Sequence, residues 1–155
     1  MMFSYRLVRL IETHANTLAT GLEKKVMTSP LTSSFHSIPP HELRERVYEI
    51  YRHLGEWLLG GNHALLEQRY REIGTRRAKQ KVPLAELIQA IILTKENLWD
   101  FLKSEAVVDR AVEIMGELEL LQMLERFFDQ AVYFAAMGYQ LEVERQEKER
   151  ELLVG

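Results

Sequence analysis

The sequence predicts an all-α fold, a helical bundle with a long C-terminal helix, and three observations carry that reading. Apolar residues recur every three or four positions nearly from end to end, and no stretch alternates with a period of two. Chain breakers are few, 8 Gly and 4 Pro in 155 residues, and they cluster. The final segment lacks proline altogether.

The first helix is expected over about Phe3 to Met27, with Leu7, Ile11, His14, Leu18 and Leu22 on one stripe. Thr28 to Pro40 holds three of the four prolines and is the one clear loop. A second helix, about Pro40 to Leu59, follows Ser37 as its expected N-cap and repeats Leu43, Val47, Ile50, Tyr51, Leu54 and Trp57. Gly60-Gly61-Asn62 breaks it. A weaker third helix runs from Asn62 to Gln80 through Leu65, Leu66, Tyr70, Ile73 and Ala78. Pro83 opens a strong fourth, where its missing N–H is no loss; Leu84, Leu87, Ile88, Ile91, Leu98, Trp99 and Leu102 mark its face.

From Ala106 onward a short helix is expected to end near Gly116, with a long one after it. Leu118 to Leu153 would span roughly 54 Å at 1.5 Å per residue. A compact chain of this length is only roughly 40 Å across, so the helix is expected to project. Leu120, Leu124, Phe127, Ala131, Phe134, Gly138 and Leu141 alternate steps of four and three, a heptad seam expected to meet a second copy of the chain. Beyond it, Glu142 to Glu151 mixes acids and bases at spacings that pair along a helix. The domain is expected over 1–141, with 142–155 a helical linker toward a module beyond this sequence.

Composition narrows the chemistry. Hydrophobic residues make up 46% and the net charge is -3, against both disorder and an ordinary basic nucleic-acid binder. Cysteine is absent, which removes disulfides, thiolate metal sites and cysteine nucleophiles. No apolar run approaches the roughly 20 residues of a membrane helix, and the N-terminus lacks a signal-peptide pattern, so a reduced cytoplasmic compartment is the simplest expectation.

The five histidines, His14, His36, His41, His53 and His63, all precede residue 64. A haem-binding helical fold takes its axial ligand from a late helix, so no haem is expected, while a globin-like arrangement without haem stays open. No Glu has a His three residues later, against a di-iron bundle; no metal or cofactor is expected. His14 alone shares an apolar stripe and reads as a core histidine bonded to a backbone carbonyl. His41-Glu42-Leu43-Arg44 is similar to the phospho-accepting box of sensor kinases but lacks its continuation, leaving His41 or His53 as a minor phosphorelay alternative. The basic run Arg69, Arg71, Arg76, Arg77, Lys79 and Lys81 reads as a solvated face, except that Arg77 falls on the apolar stripe and is expected to reach a neighbouring carboxylate. Trp57, Tyr70 and Trp99 could together line a small apolar pocket.

Gly74 to Ala90, with Arg77-Ala78-x-Gln80-x-Val82-Pro83-Leu84 at its centre, resembles a segment of the RsbRD-type N-terminal domain of bacterial stress-signalling proteins. Ile92 to Phe101 and Arg126 to Tyr139 are similar to two later stretches of that domain. In order and spacing the likeness covers about Arg6 to Glu142. It implies a non-catalytic sensory or regulatory domain joined by a helical linker to an output module, either a histidine kinase or a STAS domain. It also implies a haem-free, globin-like homodimer with no catalytic residues, and the heptad seam and its length lead to the expectation that the last helix carries the signal.

Overall fold

The computed structural model describes the backbone of residues 2–54, 57, 63–105 and 111–154, and side chains within 8–54, 57, 63–104, 118 and 121–154. The elements are α1 (Met2–Thr13), α2 (Ala15–Thr28), a 3₁₀ segment (Pro30–Ser37), α3 (Pro40–Arg52), α4 (His63–Lys79), α5 (Leu84–Glu105) and α6 (Ala111–Val154). No strand occurs among the described residues. The chain is the expected all-α bundle with one long C-terminal helix.

The first expected helix is two helices. His14 sits between them at φ -101°, ψ 20°. Its ring Nδ1–H donates to the Leu10 carbonyl at 2.9 Å, and its backbone N–H is shared between the Leu10 and Ile11 carbonyls at 3.1 and 3.2 Å. A side chain competing for the carbonyl four residues back weakens the regular ladder there. The ring packs against Phe101 with centroids 5.4 Å apart, so the core-histidine reading of His14 holds.

The loop between α2 and α3 is more ordered than its prolines suggest. Ser29 Oγ accepts from the Leu31 N–H at 3.2 Å. Thr32 leaves helical geometry (φ -129°, ψ 33°), is fully buried, and donates its hydroxyl to the Val26 carbonyl at 2.7 Å. Ser37 does not cap α3: its hydroxyl donates to the Ser34 carbonyl at 3.1 Å, and Pro39 precedes the helix without a side-chain cap. Glu86, in the first turn of α5, accepts from both the N–H and the hydroxyl of Ser34 at 2.8 Å each. These bonds hold the 3₁₀ segment against α5 and lower the Glu86 carboxyl below its ordinary range, the backbone N–H contributing most.

A buried polar knot joins α2, α3 and α5. Tyr51 donates to the Thr94 carbonyl at 2.8 Å, and Asn97 Nδ2 donates to the Leu18 carbonyl at 2.9 Å and to the Tyr51 hydroxyl at 3.4 Å. Burial raises the Tyr51 hydroxyl pKa strongly, so it stays protonated and available as a donor.

The most extensive helix contact is α4 on α6. A Cβ added at Gly74 would lie 1.9 Å from the Ala135 oxygen, and one at Gly138 would lie 2.2 Å from the Arg71 oxygen. Only hydrogen fits at either position, so the two backbones touch. α6 runs unbroken through Gly116, where an end was expected. A glycine costs a helix about 1 kcal/mol, which is not enough to stop a helix of 44 residues.

Candidate functional site

The segment Arg77 to Leu84, which carries the family likeness, is the turn from α4 into α5. Lys81 stands in the left-handed region at φ 64°. Its N–H donates to the Ala78 carbonyl at 3.1 Å, and the Val82 N–H reaches back to the Arg77 carbonyl at 3.0 Å. That double reach closes α4 with a Schellman cap, and buried Val82 supplies its apolar contact. Pro83 then accepts the first bonds of α5, from Glu86 and Leu87 at 3.0 and 3.1 Å. The Tyr139 hydroxyl donates to the Val82 carbonyl at 2.6 Å, tying the turn to α6.

Arg77 is 3% exposed, yet it does not reach the expected carboxylate. Its Nη1 donates to Gln80 Oε1 at 2.7 Å, and its guanidinium lies 5.3 Å from the centre of the Phe35 ring. Burial, reinforced by Arg76 and Arg46 and opposed by Glu42, brings its pKa down to about 10. Hydrophobic periodicity placed the residue correctly; nothing in it could show that a neutral amide three positions on, at the turn, would be the partner.

The heptad seam of α6 turns mainly inward. Leu124, Phe127, Ala131 and Gly138 are buried within the chain, Phe134 is half-buried, and Leu141 is 51% exposed; the Leu120 side chain lies outside the described residues. A partner chain could reach only Phe134 and Leu141 of these six without opening the core. The outer face carries Tyr133, and the end of the helix carries Leu152, Leu153 and Val154, each more than 80% exposed at that end.

Trp57 and Tyr70 do come together. Their rings meet edge-on at 6.5 Å, and both contact Phe127, Trp57 by stacking at 5.7 Å and Tyr70 edge-on at 5.9 Å. Trp57 Nε1 is buried and meets no acceptor among the described residues. Trp99 is half-buried against the core from α5. A cavity of about 50 Å³ borders Tyr70, Phe35 and Arg77, but neither tryptophan lines it. His41 is exposed in the first turn of α3, and His53, just past its end, lies 3.3 Å from Glu49.

Past the seam, Glu142 is side-chain buried at 4% exposure and is gripped by Arg145, whose Nε and Nη2 donate at 2.9 and 2.8 Å. Arg145 Nη1 donates onward to Glu149 at 2.8 Å. The pairing expected along this stretch is present.

No curated protein and no solved structure matches the chain. Residues 28–154 match the family described as the RsbT co-antagonist protein rsbRD N-terminal domain. The turn at Arg77 to Leu84, Tyr51, Thr94 and Asn97 of the polar knot, and the whole of α6 fall inside that match, and the chain belongs to this family of regulatory N-terminal domains.

Proposed function

We propose that the protein is a non-catalytic, cytoplasmic input domain that works as a homodimer and passes its state along α6 to an output module, a histidine kinase or a STAS domain. Residues 1–141 form the domain in this reading, and 142–155 lead toward the output. The supporting observation is the build of α6. Leu124, Phe127, Phe128, Ala131 and Ala135 root it in the core, while nearly every position from Glu144 to Val154 faces solvent. No helix among the described residues is long and apolar enough to cross a membrane.

Exposed apolar positions on α6 supply the contact. Leu141 and Leu152 are eleven residues apart, which places them about 20° apart around the helix. A second α6 packed along that edge would cover both. Sedimentation equilibrium across a wide range of micromolar concentrations tests the reading. A reversible dimer is expected; a monomer at every concentration overturns it.

A further inference from the structure

Four arginines that the dimer reading leaves without a role converge on one groove. The backbones of α3 and α4 stay apart, and a groove of about 520 Å³ opens between them. Arg44 and Arg46 line it from α3, and Arg69 and Arg76 from α4. On α4 the positions 69, 73 and 76 share one stripe, with Ile73 between the two cations. Glu45 and Glu49 also line the groove, which keeps two positive charges in excess on a chain whose net charge is -3. Glu49 is already engaged with His53 at 3.3 Å.

Among the described residues, no carboxylate stands within ion-pair distance of Arg44, Arg46, Arg69 or Arg76. Arg44 and Arg46 are exposed on α3, Arg69 and Arg76 are half-buried on α4, and all four line the same gap. Arg76 feels the arrangement: partial burial lowers its proton affinity most, Arg46 and Arg69 add to the effect, and Glu42 and Glu72 offset only part of it. An excess of like charge in one groove costs free energy that a bound anion would recover.

Apolar space lies beside the groove. Arg46, Ile50 and Ile73 border both the groove and the 50 Å³ cavity that reaches Phe35 and Arg77. We infer that the α3–α4 groove binds a small organic oxyanion, its phosphate or carboxylate head held by Arg46, Arg69 and Arg76 and its apolar body against Ile50 and Ile73. The planar, multidonor guanidinium suits either head. A ligand here bridges α3 and α4, and α4 rests directly on α6 at Gly74 and Gly138. Occupancy therefore has a short route to the long helix, whether or not the chain dimerises.

Calorimetric titration and thermal unfolding at matched ionic strength test the site, with phenyl phosphate, benzoate and inorganic phosphate as probes. Phenyl phosphate or benzoate is expected to bind and raise the unfolding midpoint, and the tighter of the two identifies the head group. Arg69→Gln and Arg76→Gln should each weaken that binding about tenfold, the loss expected for one charge-assisted contact. Arg150→Gln, on the exposed end of α6, should leave it unchanged. Without ligand, the two groove variants should unfold at or above the parent midpoint, because removing a cation relieves repulsion. No response to any probe, or equal binding by an Arg69→Gln/Arg76→Gln double variant, overturns the site. Inorganic phosphate binding as tightly as the organic probes overturns the apolar half of it.

Discussion

Lys81 and Glu142 show how single residues carry local cost and local gain. Lys81 holds a backbone conformation that costs a residue with a Cβ about 1–2 kcal/mol, because the cap of α4 needs a left-handed residue at that point. Its side chain makes only an exposed bond to Gln146 at 2.9 Å. Lys81→Gly is therefore expected to raise the unfolding free energy by about 0.5–1 kcal/mol, after the added freedom of the unfolded chain is counted; urea titration measures it. Glu142 works the other way. The Arg145 fork and the Gln146 amide hold its carboxyl down to about 2, from 4.5. A depressed acid stabilises the fold fully above its unfolded value, and that share is lost as pH falls through the folded one. The stability gap between the parent and Glu142→Gln should be widest at neutral pH and close between pH 4.5 and about 2. A gap that stays constant across that window would show that the charge of Glu142 contributes nothing. Histidine behaviour was partly legible at this scale: His14 shared an apolar stripe, and a half-buried imidazole there gains a backbone acceptor, which Leu10 provides. The break it accompanies was not legible, because no glycine or proline announces it.

Helices were readable wherever an apolar stripe met a core, as in α3 and α5. Their relations were harder to read. Period and composition present Gly74 and Gly138 as isolated glycines in helical stretches, which is a mild penalty and nothing more. Only the packed structure shows that each admits the other helix's backbone. Gly138→Ala is expected to cost about 3 kcal/mol, the upper end for overpacking, because the obstacle at 2.2 Å is the Arg71 carbonyl, which cannot rotate aside as a side chain would. Loss of about that size in urea titration supports the close crossing; a change within a few tenths of a kcal/mol rejects it. The arginine groove escaped sequence reasoning for a related reason. Arg44 and Arg46 lie more than 20 positions from Arg69 and Arg76, and charge counts along the chain do not reveal that two helices turn their cations toward one gap.

For the molecule as a whole, the length of α6 was the most informative feature, since a helix longer than its own body must leave it. The heptad spacing was misleading about direction. Steps of four and three describe any helix packed tightly against another, and here the neighbour for most of the seam is α4 of the same chain. In the proposed dimer, association is then left to the outer apolar positions. Leu141→Asp combined with Leu152→Asp should weaken the dimer at least tenfold in sedimentation equilibrium. Both side chains are more than half exposed, so the unfolding midpoint at low protein concentration should stay near the parent value. A drop in that midpoint without a change in association would place these leucines in the fold of the monomer instead.

The crossing at Gly138 gives α6 the geometry of an oar in its rowlock. From Gly138 to Val154 the blade extends about 24 Å, while the handle is locked among the rings of Trp57, Tyr70 and Phe127. A pivot of about 5° at the rowlock would swing the blade tip by about 2 Å, comparable to the helix shifts that switch other proteins. Because the two backbones are in contact at the pivot, an adjustment of α4 is levered outward along α6.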